Sequence, residues 1–412
     1  MMKKLLITVF LFVGIYLAYF VFRGARFYNY IAKSGAGNTP ALVEKTEYSF
    51  LLLGYGGPGH DGPYLTDSMM VAHVDLKKNT VALVSLPRDL WVKLPTKSGA
   101  DFHSKINSIF QMTPSEYPDV AGINLIKDSK YHIYEVPGGI DLLKKVVGNL
   151  TGLTIDNYLS VDFGGFEKGV DALGGIDVNI LTTFDDYGYP IDGKEKDSCG
   201  HDNELAQIDT YNKLPDDATK VQFFKDHPDI EKFYELMQAD PPVEAFPCRY
   251  EHLHFDKGIV HMDGKTALKY VRSRHSLQDG SDFGRGLRQQ QFVKAIKDKL
   301  LNVSIVANIF PLMDQLKEHI SLDVSSDELK KFMGEAKDVS LYKITTIHMS
   351  DSDYLKHDTS SYGGYILIPR TGQDNWSEIR TVIHNSILGI TTPTPTPRPT
   401  VSAVPTKATK EQ

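Results

Sequence analysis

Apolar residues come in short stretches bounded by turn residues over most of the chain, with one exception near the start. Residues 5–22 (LLITVFLFVGIYLAYFVF) form a run of 18 without a charge, which as a helix would rise about 27 Å and nearly span a bilayer core. We read it as a single uncleaved membrane helix. A cleaved signal peptide is the competing reading, because Lys3 and Lys4 make an n-region, but the run is long and no A-x-A site follows it. Arg23, Arg26 and Lys33 lie just beyond the helix and weaken the positive-inside signal, so the helix alone does not set its orientation.

Residues 34–39 (SGAGNT) read as a flexible spacer, and folded sequence begins near Tyr48. Residues 49–53 are a strand-like run that ends in the glycine-rich turn GYGGPGHDGPY. Residues 68–74 and 80–86 then predict a hairpin across the polar turn Lys77-Lys78-Asn79. Ile140, Leu143, Val146, Val147 and Leu150 recur at helical spacing behind a Gly-Gly entry. Strand, helix and strand follow over 159–163, 166–173 and 175–180. After residue 251 the pattern predicts helices over 264–271, 285–300, 303–319, 326–335 and 377–388, and strands over 342–348 and 364–368. Mixed strands and helices in this order predict an α/β (α+β) fold, a layered mixed central sheet flanked by helices and preceded by the N-terminal membrane helix.

Residues 185–251 differ in kind, with 17 acidic residues against 7 Lys and Arg, and with Pro215, Pro228, Pro241, Pro242 and Pro247 as punctuation. This stretch reads as an insertion with short helices, for instance around 230–237, and without the spacing of a catalytic site. It holds both cysteines, Cys199 and Cys248. In a body outside the membrane these could close a disulfide loop; two unrelated thiols is the alternative, and metal binding is weaker because neither has a CxxC partner. The last 22 residues, with seven Thr and five Pro, cannot form a packed core and read as a solvated tail.

Charge narrows the partners. The net charge is −7, yet residues 1–38 carry +5 and the tail +2, which leaves about −14 on the body. That balance argues against nucleic acid as a partner, and any anion site must be local.

The densest local candidate is Tyr270-Val271-Arg272-Ser273-Arg274-His275, followed by Asp282-Phe283-Gly284-Arg285 and Arg288-Gln289-Gln290. Arginine presents a rigid fork of donors suited to paired phosphate oxygens, so several of them make a site for a pyrophosphate or a transferring phosphoryl group. Arg285, Arg288 and Gln289 share a helical face near an N-terminus. A solvated helix with ordinary ion pairs is the plainer reading of the same residues. Arg88 and Asp89 in SLPRD stand at a strand end, Lys105 and Asn107 in KIN offer a charge and an amide, and Asp67 precedes a strand where a carboxylate suits Mg²⁺.

Taken together and in this order, these motifs resemble the LytR-CpsA-Psr family of membrane-anchored phosphotransferases. The resemblance rests on LLLG at 51–54, TDSMMVAHVD at 66–75, SLPRD at 85–89, KIN at 105–107, VDALGGIDV at 170–178, MDGKTALKYVRSRH at 262–275 and DFGRGLRQQ at 282–290. It runs from 49 to about 300, more weakly to 379, and is interrupted by the acidic insertion.

The resemblance implies residues 1–4 in the cytoplasm, an anchor at 5–22, a linker at 23–47, an extracytoplasmic catalytic domain at 48–390 and the tail at 391–412. The implied activity is Mg²⁺-dependent transfer of a glycopolymer phosphate from a polyprenyl-pyrophosphate carrier to peptidoglycan, at the cell membrane. Arg88, Arg272, Arg274 and Arg285 match arginines that hold the pyrophosphate, Lys105 and Gln289 match accessory contacts, Asp67 a metal aspartate, and Asp282 a carboxylate that orients an arginine. Asp89 and Asp282 are the candidates for the base. Gly56 stands where the family usually has a further metal aspartate, and Asp61, beside His60, is the expected substitute. A lipid pyrophosphatase and a non-catalytic binder of polyprenyl phosphate or wall polymer are the alternatives.

Overall fold

Period-two burial along the first strand sets the frame of the molecule. In this computed structural model residues 45–60, 62–123, 138–300, 316, 318–324 and 339–390 are described. The expected membrane helix, the spacer, Asp61, nearly all of 303–319, all of 326–335 and the tail lie outside them. Among the described residues no helix is long and apolar enough to cross a membrane.

The described elements fall into two compact units, one taken from the chain up to Gly174 and again from Ile296, the other Gly175–Ala295. In the first, β1 (Glu47–Tyr55) buries Tyr48, Leu51 and Leu53 and pairs antiparallel with β2 (Thr66–Asp75), which pairs antiparallel with β3 (Thr80–Ser85). Leu51 stands opposite Val71 and Val71 opposite Val84, all three at 0% exposure. The β2–β3 turn closes as the sequence predicts: Asp75 accepts the N–H groups of Lys77 and Lys78 at 3.0 and 2.9 Å, and Asn79 takes the left-handed conformation that its short polar side chain tolerates.

A short antiparallel pair follows, β4 (Trp91–Leu94) with β5 (Phe102–Lys105). Helix α1 (Ile140–Thr151) buries the predicted stripe Ile140, Leu143, Val146, Val147 and Leu150. Its Gly-Gly entry has a steric reason, because a Cβ on Gly139 would stand 1.7 Å from the carbonyl oxygen of Ile109. β6 (Asn157–Asp162) runs parallel to β1, and α2 (Phe163–Ala172) packs on β6 after the Asp162 side chain caps it by accepting Gly165 N–H at 2.7 Å.

In the second unit β7 (Ile176–Ile180) and β8 (Phe184–Pro190) are followed by α3 (Asp202–Asn212), α4 (Asp217–Asp226) and α5 (Pro228–Met237). Then come β9 (Tyr250–Phe255), β10 (Gly258–Met262), α6 (Gly264–Arg272) and α7 (Asp282–Leu300). β7 pairs with β10 and β8 with β9, both antiparallel. The ends of the acidic stretch are therefore paired strands, not loop. Between them Ile208, Ile230, Phe233, Ala245 and Phe246 form a small core of their own. Cys199 and Cys248 form a disulfide, which decides between the sequence readings and removes both sulfurs as thiolate ligands.

The chain then adds β11 (Ile320–Leu322), β12 (Lys343–Ile347), β13 (Leu355–Thr359), β14 (Tyr365–Pro369) and α8 (Ser377–Ile387) to the first unit. The central sheet has the order β11-β6-β1-β2-β3-β12, with the β6–β1 and β3–β12 pairs parallel and the others antiparallel. Helix α8 packs on α1, β3 and β12. The fold is a mixed α/β structure, as the pattern predicts.

Candidate active site

In the first unit the chain leaves β3 through Pro87 and turns back at Leu90, whose N–H bonds to Pro87 O at 3.4 Å. This turn carries Arg88 outward and Asp89 inward. Asp89 is 5% exposed and accepts Lys105 Nζ at 2.5 Å on one oxygen and Arg88 Nε at 3.4 Å on the other. A buried carboxylate holding two cations fixes both side chains. Arg88 Nη1 also donates to Asp67 Oδ1 at 2.8 Å. The KIN segment is seated against the same turn: Ile106 N–H reaches Leu90 O at 2.8 Å, Asn107 N–H reaches Arg88 O at 3.3 Å, and the Asn107 carbonyl accepts from Thr66 Oγ1 at 3.2 Å. Five expected residues, Asp67, Arg88, Asp89, Lys105 and Asn107, are thus brought together from three separate sequence segments.

The second unit holds the other arginines. Asp263 caps α6 by accepting Thr266 N–H at 2.8 Å, and the helix delivers Arg272 at its last position. Arg272 donates to Tyr189 OH at 3.3 Å and stands 3.6 Å from Asp192. Burial pushes the Tyr189 phenol up to about 12, so it remains a neutral hydroxyl. Arg274 Nε donates to His275 Nε2 at 3.0 Å. Burial first, and then the neighbouring Arg274, hold His275 below its ordinary value, which keeps that nitrogen an acceptor. Arg285, in the first turn of α7, pairs with Asp282 at 2.9 Å, as the resemblance implies.

Arg288 and Gln289, expected as phosphate contacts, turn toward the backbone. Arg288 is 2% exposed; its Nε donates to Tyr270 O at 3.1 Å, its Nη2 to Ser273 O, and its Nη1 stands 2.6 Å from Asp279. Gln289 Nε2 donates to Val271 O at 3.2 Å. Both satisfy carbonyls that the end of α6 leaves unpaired, a structural need of any helix C-terminus. Gly284 belongs to the same support, because a Cβ there would meet the Asp279 carbonyl oxygen at 1.7 Å.

One supporting residue is missing from the sequence reading. Asp186 is 0% exposed, accepts Ser273 Oγ at 2.6 Å and His275 N–H at 3.2 Å, and so grips both sides of Arg274. It sits at the head of the acidic stretch, where one carboxylate among 17 gives no signal of burial.

Asp67 is the described carboxylate suited to Mg²⁺, 37% exposed and partnered on Oδ1 by Arg88. That fits an ion which keeps several waters and takes further oxygens from phosphates. Beside Gly56 the space is filled by His60, whose Cβ would stand 2.9 Å from a Cβ at that position and whose ring meets Phe163 edge-on at 5.2 Å. Asp61 lies outside the described residues.

The family model of the LytR_cpsA_psr family matches residues 25–368, and the chain belongs to that family. Among its curated relatives, the polyisoprenyl-teichoic acid–peptidoglycan teichoic acid transferase TagV of Bacillus subtilis (strain 168) is 24% identical over 333 residues, 80% of this chain and 63% of that protein. TagU of Enterococcus faecalis (strain ATCC 700802 / V583), named as the same kind of transferase, is 24% identical over 292 residues, 70% of this chain and 66% of that protein. The chain thus spans a little under two thirds of the length of these relatives. Among solved structures, the crystal structure of B. subtilis TagV covers 85% of this chain and 100% of its own, at 21% identity and a TM-score of 0.48. TagT bound to LIIa-WTA covers 85% and 95%, at 18% identity and a TM-score of 0.47.

Proposed function

We propose that this protein is a phosphotransferase that moves a glycopolymer phosphate from a polyprenyl-pyrophosphate carrier to a peptidoglycan hydroxyl, working outside the cell from a membrane anchor at residues 5–22. The observation that carries the proposal is the cationic pair Arg88 and Lys105 fixed by buried Asp89, in a chain of this family whose curated relatives are named as teichoic acid transferases.

In the reaction the acceptor hydroxyl oxygen bonds to the phosphorus that carries the glycopolymer, its proton passes to a carboxylate base, for which Asp89 and Asp282 are the candidates, and the bridging P–O bond breaks to release polyprenyl phosphate. Charge collects on the phosphate oxygens, so fixed cations lower the barrier most. Arg88 and Lys105 of the first unit supply them, with Asn107 an amide; Arg272, Arg274 and Arg285 of the second unit are cations of the same kind. Asp89 and Asp282 each hold an arginine, a role that orients the donor. Mg²⁺, held at Asp67, would supply further neutralisation of the pyrophosphate. Arg288 and Gln289 support the arginine loop from behind.

The test uses the full chain in detergent with Mg²⁺ and a polyprenyl-pyrophosphate oligosaccharide, following polyprenyl phosphate release with and without peptidoglycan fragments. Release that requires the fragments and yields a phosphodiester-linked product is expected. Release without them would make the protein a lipid pyrophosphatase, and lipid binding without release would make it a binding protein.

A further inference from the structure

The acidic stretch carries a group of side chains that the phosphotransfer reading does not use. His252 and His254 are two apart on β9, so they point to one face, and Asp185 lies on β8 directly opposite His254. Asp185 Oδ1 is 2.9 Å from His252 Nε2 and 2.8 Å from His254 Nδ1, and the three donor atoms lie within 4.8 Å of one another. A tetrahedral zinc ion, with bonds of about 2.0–2.1 Å, needs donors roughly 3.3 Å apart. Two of the three separations already lie close to that, and small ring rotations close the third.

The outer groups are also in place. His254 Nε2 stands 3.3 Å from Asp256 Oδ1, so its proton can face a carboxylate while Nδ1 presents a lone pair. The His252 ring stacks on Tyr187, with centroids 4.0 Å apart and planes at 2°. Gln278 Nε2 reaches Asp185 Oδ2 at 3.5 Å, and its Oε1 accepts Asp185 N–H at 2.9 Å. A simple pair of surface ion contacts requires none of these three restraints. The stretch from 185 to 251 has a net charge of −10, which draws cations to it.

We infer that Asp185, His252 and His254 form a site for a divalent transition metal of the zinc class, with the fourth position left to water. Imidazole nitrogens favour such ions over Mg²⁺. On binding, both rings are neutral, with the His252 proton on Nδ1 and the His254 proton on Nε2, and the metal replaces the hydrogen bonds that now join them to Asp185. The ion ties β8 to β9 at the base of the disulfide-closed stretch, one residue before Asp186, which holds the arginine loop. The inference rests on this geometry and not on the proposed transferase activity.

The experiment titrates Zn²⁺ into the untagged full chain, stripped with chelator and with Cys199–Cys248 kept oxidised, and follows heat of binding and melting temperature. Saturable binding of one Zn²⁺ per chain with a raised melting temperature is expected, without competition from excess Mg²⁺. His252→Ala and His254→Ala should each weaken binding by at least about tenfold and abolish the thermal gain. His261→Ala, which breaks a separate exposed pair with Asp177, should leave both unchanged. All three metal-facing side chains reach solvent, so these variants should fold, and the isosteric Asp185→Asn gives a further readout. Absence of saturable Zn²⁺ binding, or binding unaltered by the double His252→Ala, His254→Ala variant, would overturn the site.

Discussion

Arg88 and Arg288 are the same side chain put to opposite uses. Arg88 stands at a turn with its fork between Asp67 and Asp89 and one side toward solvent. Arg288 is enclosed by two carbonyls and Asp279. Arg88→Ala should therefore abolish transfer while leaving the unfolding midpoint nearly unchanged, and Arg274→Ala should do the same. Near-normal turnover in either would remove that residue from the chemistry. Arg288→Ala should cost about 1–3 kcal/mol of stability, because it strands the carbonyls of buried Tyr270 and Ser273, and should lose activity in proportion to the disordered loop. Denaturant melts separate the two cases. Gly284→Ala should behave like Arg288→Ala, since its new methyl group displaces the Asp279 carbonyl.

Elements were legible in the chain where burial imposes a period. β1, β2, β3, β6 and α1 match their predicted spans to within a few residues, because one face of each is packed and the pattern records it. The β4–β5 hairpin and β13 escaped notice. β5 (FHSK) is half-buried throughout, and β13 (LKHDT) buries only its first residue, so neither alternates. What holds β4 and β5 in place is tertiary: the Leu90–Leu367 bridge and the Ile106 N–H bond to Leu90 O. Two predictions belong at this scale. Asp263→Ala removes the α6 cap and should cost about 1 kcal/mol, read from thermal melts. Replacing Cys199 and Cys248 with Ser opens a loop spanning 49 positions and should cost about 2–5 kcal/mol, seen as faster hydrogen exchange over α3 to α5.

For the whole molecule, one buried and two half-buried histidines set an acid response. His73, His275 and His348 are all held below their ordinary value near 6.5, with burial the leading cause in each. The unfolded chain therefore binds more protons than the folded one just below that value. Their contribution is fully present above it and is lost as pH falls through and below it. His254 runs the other way because Asp185 raises it, but that pair is exposed and weakly weighted. The unfolding midpoint should drop between about pH 7 and 5.5, and a flat profile there would contradict the assignment. Transfer should weaken over the same range, since protonated His275 no longer accepts from Arg274.

The chain by itself determined the order of motifs, the strands and helices with a buried face, and the presence of residue types suited to phosphate, because periodicity and donor chemistry are local properties. The fold alone decided which polar residues are buried. Asp89 is joined to Lys105 and Asp186 to Ser273 across separations of 16 and 87 positions. Whether an arginine in VRSRH or GLRQQ faces a ligand or a carbonyl depends on what packs against it. That partner is brought by the path of the backbone, and no local pattern records it.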